Sequence, residues 1–320
     1  MKAAVVEAFD RPPRYAEFAD PVPSEGELLV TVTAAALHQI VRALAAGTHY
    51  GSTAQLPFVP GVDGVGRLSD GSRVYFGRTQ DRYGTFAERS ITLPFLTLPL
   101  PDSLDDATAA AMMNPGMSSW VALTARAQFV PGESVLILGA TGTSGHLAVQ
   151  IARRLGASRV IAAGRNPDAL AETLALGADA TISLQQDRDA LVEDFRRHLS
   201  ESKIDVVLDY LWGSPAESLL AAISQKGLAH ESRRIRYIQI GNSASPTISL
   251  PAATLRSSGL ELLGSGFGSA SLQEIMRVLG EFVAAAVKSP FTLSTKMIPL
   301  QQIETVWREP NNRERFVFQP

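Results

Sequence analysis

A glycine-rich bend between an apolar run and an amphipathic run is the first feature of this sequence that could do chemistry. The stretch LGATGTSGHLAVQIARRLGA covers residues 138–157 and has no large side chain within its bend. A helix that starts after such a bend offers backbone N–H groups and its positive dipole end to phosphate oxygens. Gly142 lets the backbone approach a pyrophosphate, and Gly145 lets the helix lie close to the strand. The bend predicts a dinucleotide site made by Ala140, Thr141, Gly142, Thr143, Ser144 and Gly145; the alternative is a tight turn that binds nothing.

The end of the next predicted strand indicates which dinucleotide would bind. A site for NAD has Asp or Glu about 20 residues beyond the glycines, where it accepts hydrogen bonds from the ribose hydroxyls. The sequence there reads AAGRN, residues 162–166, with no acid. Gly164 leaves room, Arg165 offers a guanidinium to a 2′-phosphate, and Asn166 could add a hydrogen bond. These residues favour NADP(H) over NAD, although an arginine at a strand end is also a common surface residue.

The elements that must position these residues change character along the chain. Residues 1–113 read as short apolar strands separated by turns that are rich in Pro and Gly, a pattern typical of a mainly β domain. From Pro131 onward, strands alternate with helices, beginning with SVLILGA, which has the continuous apolar character of a strand buried on both faces. Such alternation predicts a doubly wound parallel sheet. After Gly268, one long helix near SLQEIMRVLGEFVAAAV and a short strand, RFVFQP, are expected to return to the β-rich domain.

Composition excludes several classes of protein. A net charge of −3 gives no electrostatic footprint for nucleic acid. No apolar run reaches the roughly 18 residues of a membrane span, and the acidic residues near the start do not suit a secretory signal. The chain has no cysteine, and its five histidines include no HExxH pair, so neither disulfides nor a metal site are expected. We therefore expect a cytoplasmic protein with no nucleic-acid or membrane partner.

The order of several motifs resembles the medium-chain dehydrogenase/reductase superfamily, and in particular its zinc-free quinone oxidoreductase branch. The resemblance covers nearly the whole chain, through LPFVPGVDGVGRL (56–68), GTFAERSITL (84–93), VPGESVLILGATGTSG (130–145), IDVVLDYLWG (204–213) and the closing residues 298–320. It implies a GroES-like, mainly β catalytic domain of residues 1–116 plus 269–320. It also implies an inserted Rossmann domain of residues 117–268, with a catalytic cleft where the two domains join.

The same resemblance locates the zinc ligands of the metal-dependent relatives. The matching positions here are His38, Val62–Asp63 and Asn114, which supply too few ligands for a site. Zinc-free relatives often carry N-P-x-D where this chain has H-Q-I-V, residues 38–41. A tyrosine commonly stands two residues after the glycine that matches Gly47; in this chain His49 stands there, and Tyr50 follows it.

The resemblance implies transfer of hydride from NADPH to a quinone or an α,β-unsaturated carbonyl compound. Without a metal, the developing oxyanion needs a hydrogen-bond donor or a proton. Tyr50 is our first candidate as donor, His49 the second and His38 the third; each has a non-catalytic alternative as a loop or interior residue. Further candidates that line the substrate cleft are Arg42, Asn114 and Met117.

Other coenzyme contacts follow from the fold, because ligands bind beyond the carboxyl ends of parallel strands. We expect the loop after IDVVLDYL to cover the adenosine half and the loops after RYIQIG and LELLGSG to border the nicotinamide. The residues concerned are Leu211, Trp212, Gly241, Asn242, Gly266 and Phe267.

Two other classes of protein are alternatives to a quinone oxidoreductase. A short-chain dehydrogenase would need a Tyr-x-x-x-Lys pair, which the chain lacks. A non-catalytic NADPH-binding redox sensor or structural protein on the same fold is favoured by the altered segment 38–41. The expected partners are a small apolar carbonyl or quinone substrate and a second copy of the chain, which would pair through the strand LELLGSG.

Overall fold

A computed structural model describes residues 1–53, 55–224, 233–266, 268–310 and 314–320. The chain divides into two compact units, Met1–Pro115 with Leu279–Pro320, and Gly116–Val278. The sequence-based boundaries were 116/117 and 268/269, so the second division falls ten residues later along the chain, within a helix.

The first unit is built mainly from antiparallel strands. Up to its division from the second unit, its elements are β1 (Lys2–Val5), β2 (Arg14–Glu17), β3 (Leu28–Ala36), α1 (Gln39–Ala45), β4 (Asp63–Arg67), β5 (Arg73–Gly77), β6 (Arg89–Thr92), β7 (Thr97–Pro99) and α2 (Asp106–Val121). Helix α2 continues past Pro115 into the second unit.

The second unit alternates strands and helices as the sequence predicts. After α2 come β8 (Ser134–Leu138), α3 (Thr143–Arg154), β9 (Arg159–Gly164), α4 (Pro167–Ala175), β10 (Ala180–Ser183), α5 (Arg188–Glu201), β11 (Val206–Asp209), α6 (Gly213–Ile223), β12 (Arg234–Gln239), α7 (Ala252–Arg256) and β13 (Gly259–Gly264). Helix α8 (Leu272–Lys288) then leads back to the first unit, which ends with β14 (Thr295–Pro299), α9 (Ile303–Val306) and β15 (Arg315–Gln319).

The strand order of the second unit fixes where a ligand can bind. Its six strands are all parallel, in the order β10-β9-β8-β11-β12-β13. The chain winds outward from β8 in one direction and then from β11 in the other, so the switch point lies between these two strands. In open α/β sheets the ligand crevice lies at the carboxyl ends of the strands at that point. The apolar face of the amphipathic run that forms α3 is buried, with Leu147, Ala148, Ile151 and Ala152 at 0% exposure.

The tail of the chain completes the sheet of the first unit. That sheet has the order β14-β15-β3-β4-β5-β7, with β6 also paired to β3, and strand β15 lies antiparallel to β3. Its core includes Val30, Phe76, Phe86 and Phe318, all at 0% exposure. The predicted fold class, a mainly β unit with an inserted parallel α/β unit, is confirmed. Among the described residues, no helix combines the length and hydropathy that crossing a bilayer requires.

Candidate functional site

The glycine-rich bend joins β8 to α3 as the sequence predicts. Strand β8 ends at Leu138, and α3 begins at Thr143 with Gly142 as its N-cap, where no side chain caps the first turn. The N–H groups of Gly139 and Ala140 both donate to the carbonyl oxygen of Ala163 on β9, at 2.9 Å. The bend is thereby fixed to the neighbouring strand, while α3 starts at the carboxyl end of β8, beside the switch point.

The glycines of the bend serve two different purposes. A Cβ atom on Gly145 would lie 2.3 Å from the carbonyl oxygen of Gly139 and 2.5 Å from Cα of Ala140. Gly145 is therefore required for the close packing of α3 against the bend. A Cβ atom on Gly142 would meet nothing within 4 Å. The open side of Gly142 is where a diphosphate could reach the backbone.

Gly164 and Arg165 follow each other at the carboxyl end of β9. A Cβ atom on Gly164 would lie 2.2 Å from Cγ2 of Thr141, so the room that this glycine leaves is taken by Thr141. Arg165 is exposed. Within the described ranges, the Arg165 guanidinium has no hydrogen bond and no ion pair, which leaves it available to a phosphate.

Asn166 and His146 hold the start of α4 rather than pointing freely into solvent. Asn166 is the N-cap of α4, and its Oδ1 accepts a hydrogen bond from the N–H of Ala169 at 3.0 Å. Nε2 of His146, on the first turn of α3, lies 3.2 Å from the carbonyl oxygen of Ala169, to which it can donate. The cap uses one of the two lone pairs of Oδ1, so Nδ2 is the donor that Asn166 could offer to a coenzyme.

Asp209, at the carboxyl end of β11, is a buried acid that the sequence analysis did not single out. Its side chain is 0% exposed. Its Oδ1 accepts hydrogen bonds from the N–H groups of Leu211 at 2.8 Å and Trp212 at 3.0 Å. Its Oδ2 accepts one from the hydroxyl of Tyr237 at 2.6 Å. Burial raises the pKa of Asp209, and these three hydrogen bonds oppose that shift.

The other predicted coenzyme contacts lie on loops at the same edge of the sheet. Leu211 and Trp212 follow β11, Gly241 and Asn242 follow β12, and Gly266 follows β13. Phe267 lies outside the described residues. These loops meet at one edge because all six strands run in the same direction.

In the first unit, His49 and Tyr50 lie side by side in the turn after α1, with ring centroids 4.1 Å apart. The Tyr50 side chain is 75% exposed. Nδ1 of His49 accepts a hydrogen bond from the N–H of Gly51 at 3.0 Å, which leaves Nε2 to carry the proton of the neutral ring. Burial lowers the pKa of His49.

His38 lies apart from this exposed pair, in a buried polar cluster. Its Nε2 is 3.4 Å from Oδ1 of Asp63, and the side chains are 3% and 5% exposed. The other oxygen of Asp63 accepts a 2.6 Å hydrogen bond from the hydroxyl of Tyr75. Burial is the main cause that raises the pKa of Tyr75, and the nearby carboxylate adds to the shift. Burial is the main cause that lowers the pKa of Arg315 to about 10. The charge of Arg42 adds to this shift, and that of Asp63 partly opposes it.

The three predicted cleft residues lie on helices. Arg42, on α1, donates from Nη2 to the carbonyl oxygen of Glu309 at 2.7 Å. Burial lowers the pKa of Arg42. Asn114 and Met117 are half-buried and three residues apart on α2.

The residues at the zinc-ligand positions do not fit a zinc ion. His38 and Asp63 supply two donors, and one oxygen of that carboxylate is engaged by Tyr75. Protein zinc sites use three or four side-chain ligands, frequently including cysteine, and this chain has no cysteine. In the parts of the chain that the structure describes, no group of three His, Cys, Asp or Glu side chains could hold a metal ion.

Comparison with known proteins supports the arrangement described above. A family model described as zinc-binding dehydrogenase matches residues 145–284. A protein of Emericella nidulans named a probable NADPH-dependent quinone reductase is 29% identical over an alignment of 362 positions that covers all of both chains. The human quinone oxidoreductase is 26% identical over 221 residues, which cover 66% of this chain and 65% of the human protein.

Solved structures of quinone oxidoreductases are also similar to this chain. The quinone oxidoreductase of Thermus thermophilus, also solved in complex with NADPH, is 27% identical, with a TM-score of 0.79 and complete coverage of both chains. The quinone oxidoreductase of Pseudomonas syringae, at 21% identity, shares the fold with a TM-score of 0.85 over 100% of this chain and 99% of that one. These matches confirm the resemblance seen in the motifs: over its whole length the chain is similar to quinone oxidoreductases, the branch of the medium-chain dehydrogenase/reductase superfamily that the motifs indicate.

Proposed function

We propose that this protein is an NADPH-dependent oxidoreductase that reduces a quinone. The observation that carries the proposal is the uncapped start of α3 beside the open face of Gly142, with the exposed Arg165 guanidinium at the end of the next strand. The relative named a probable NADPH-dependent quinone reductase and the quinone oxidoreductase solved in complex with NADPH support the same coenzyme and the same class of substrate.

The chain's own residues divide the work of holding the coenzyme. The backbone N–H groups of the first turn of α3 bind the diphosphate, because they lie at the positive end of the helix dipole. Arg165 binds the 2′-phosphate as a charge-assisted partner. The loops after β11, β12 and β13 border the remaining parts of the coenzyme. When bound, NADPH supplies a hydride, and a quinone that accepts the hydride also takes up a proton to become the hydroquinone.

That proton, or a hydrogen bond to the developing oxyanion, must come from a side chain or from water, because the donors at the zinc-ligand positions do not fit a metal. Tyr50 and His49 are the proposed donors, since the Tyr50 side chain is exposed and Nε2 of His49 carries the proton of its neutral ring. His38 is the third candidate, and its buried position beside Asp63 favours a role in holding the site. Arg42, Asn114 and Met117 are the proposed residues on the substrate side.

The substrate range, the assembly and the location are finer parts of the same proposal. The substrate class includes α,β-unsaturated carbonyl compounds, which accept hydride at an electron-poor carbon in the same way. Strand β13 is the end strand of the six-stranded sheet, and we propose it as the contact of a homodimer, which the mass in solution from light scattering would test. The cytoplasmic location expected from the composition belongs to this proposal as well.

Initial rates of NADPH oxidation test the proposed function. The purified protein is assayed with 1,4-benzoquinone, 1,4-naphthoquinone and a simple enone, each with NADPH or NADH and each with and without EDTA. We expect turnover with at least one quinone, a preference for NADPH, and no effect of EDTA. Tight binding of NADPH without turnover on any acceptor would instead favour a redox sensor, and failure to bind NADPH would contradict both functions.

A further inference from the structure

We infer that Asp209 is a positioning residue that holds two coenzyme-binding loops in place at once, an inference that rests on the proposed function. Asp209 is the last residue of β11, directly at the switch point of the sheet. It is fully buried, so it does not touch the coenzyme as a ligand. Its influence passes through the backbone of the residues that follow β11 and β12.

The first of these loops is held by the Asp209 side chain. One carboxylate oxygen, Oδ1, accepts the N–H groups of both Leu211 and Trp212, at 2.8 and 3.0 Å. Trp212 has φ +58°, a left-handed conformation that a residue other than glycine rarely adopts. Two hydrogen bonds to one buried oxygen stabilise this otherwise unfavourable turn, and α6 begins at the next residue.

The second loop is held by the Asp209 main chain. The carbonyl oxygen of Asp209 accepts the N–H groups of Ile240 at 2.8 Å and Gly241 at 3.0 Å, just beyond the end of β12. A Cβ atom on Gly241 would lie 2.8 Å from the carbonyl oxygen of Tyr210. The two loops therefore pack directly against each other around Asp209.

The first loop also reaches the glycine-rich bend. A Cβ atom built on Gly139 would lie 3.0 Å from Cδ2 of Leu211 and 3.2 Å from Cβ of Tyr210. The side chain of Leu211 thus rests against the start of the phosphate-binding bend, and a shift of the turn after β11 would disturb that bend. The Asp209 side chain thus acts on the turn after β11 and, through Leu211, on the bend, while its main chain holds the start of the loop after β12.

The Asp209 side chain also links the loop to the sheet. Its Oδ2 accepts the hydroxyl of Tyr237, a fully buried side chain of β12 whose ring makes an edge contact with that of Trp212. Oδ1 holds the loop and Oδ2 is anchored in the core, so the carboxylate orientation is fixed. This division of roles allows the two oxygens to be tested separately.

The test compares NADPH binding by four full-length variants. Asp209→Ala removes the contacts of both carboxylate oxygens. Asp209→Asn keeps one oxygen as an acceptor for the loop, and Tyr237→Phe removes only the partner of Oδ2. Asp205→Ala is the matched control, because Asp205 is a buried acid just before β11, at the opposite end of the strand, where its Oδ2 accepts the N–H of Ser134 at 3.0 Å.

We expect the Kd of NADPH to rise about tenfold in Asp209→Ala and about threefold in Asp209→Asn, with less than about a twofold change in Tyr237→Phe and Asp205→Ala. The rate at saturating NADPH should stay within about twofold of wild type in the Asp209 variants, since a positioning residue for the coenzyme changes KM more than kcat. A general loss of stability would affect Asp205→Ala as well and would not produce this split.

Amide hydrogen exchange gives a second measurement if Asp209→Ala does not fold. In Asp209→Asn, the amides of Leu211 and Trp212 should exchange faster than in wild type, because their acceptor is weaker. Unchanged exchange at these amides, or wild-type NADPH affinity in a folded Asp209→Ala, would overturn the inference. A wild-type protein that does not bind NADPH at all would instead overturn the proposed function on which the inference rests.

Discussion

In the proposed function, the coenzyme preference depends on the Arg165 guanidinium. It follows a buried glycine, is exposed, and directly precedes Asn166, the N-cap of α4. No acid stands at this strand end to accept the ribose hydroxyls of NAD. A guanidinium matches the geometry and the charge of a phosphate monoester.

Replacing Arg165 by alanine should therefore weaken NADPH binding much more than NADH binding. A hydrogen bond to a charged group contributes about 1.5–3 kcal/mol, which corresponds to a rise of about 10- to 100-fold in the Kd of NADPH. The Kd of NADH should change by less than about twofold, because NADH has no 2′-phosphate. Fluorescence titration of both coenzymes measures this difference.

Arg196→Ala is the matched control for this variant, because Arg196 is an exposed arginine of the same unit that pairs with Glu193 on its own helix. It should leave both affinities unchanged. Equal losses for NADPH and NADH in Arg165→Ala would show that the phosphate is bound by other residues.

At this scale the sequence indicates some residues and misses others. The glycines and Arg165 are recognisable because their residue types have few other reasons to occur at that spacing. An Asn directly before Pro at a helix start is a known cap signal, so the capping role of Asn166 could also be read from the sequence. Asp209 was missed because an acid at the end of an apolar run reads as the start of a loop. Two of its donors are N–H groups of the residues just after it, and the third, the hydroxyl of Tyr237, is brought to it only by the fold.

At the scale of elements, the β8–α3 connection combines a tight packing contact at Gly145 with open space at Gly142. Gly145 has no room for a Cβ atom and Gly142 has open space around it. Gly145 is therefore required for packing, whereas Gly142, three residues earlier, leaves space for a ligand to approach.

Alanine substitutions at these two glycines should affect different properties: Gly145→Ala the stability of the protein, and Gly142→Ala its affinity for NADPH. Gly145→Ala should lower the free energy of unfolding by about 1–3 kcal/mol, because its methyl group overlaps the backbone of the bend. Gly142→Ala should leave it within about 0.5 kcal/mol, yet raise the Kd of NADPH by about fivefold or more by blocking the approach of the diphosphate. Urea unfolding and NADPH titration measure the two effects. Undiminished NADPH affinity in Gly142→Ala would contradict the proposed approach.

The strands and helices that the sequence predicts are those with a clear pattern, such as the continuous apolar run of β8 and the amphipathic run of α3. Helix α2 was not predicted. Its residues Ala109, Ala111 and Met113 are fully buried, so it has no polar stripe, and Pro115 lies in its interior. A helix that is apolar on all sides gives no amphipathic signal, and a proline normally indicates an interruption.

At the scale of the whole molecule, the parallel sheet of the second unit depends on helices that cover it, and one of them carries a buried histidine. His198, on α5, has a side chain that is 4% exposed and lies 3.9 Å from Asp194. Burial lowers the pKa of His198, with Arg197 and Arg159 acting in the same direction and Asp194 and Glu201 opposing them.

This shift predicts a loss of stability in mild acid. Below about pH 6.5 the unfolded chain binds a proton that the folded His198 binds less readily, so the free energy of unfolding should fall as the pH decreases through that range. In His198→Gln this part of the pH dependence should be absent. Urea unfolding of both proteins at about pH 7.5 and about pH 5.5, on either side of the ordinary histidine pKa, measures the slope. An equal loss of stability in the variant would refute the assignment to His198.

A crystal structure of the protein with NADPH tests the central claim most directly. We predict a diphosphate within about 3 Å of the backbone N–H groups at the start of α3, and a 2′-phosphate at the same distance from the Arg165 guanidinium. NADPH bound elsewhere on the protein, or a 2′-phosphate that no residue of the β9–α4 connection contacts, would contradict the account.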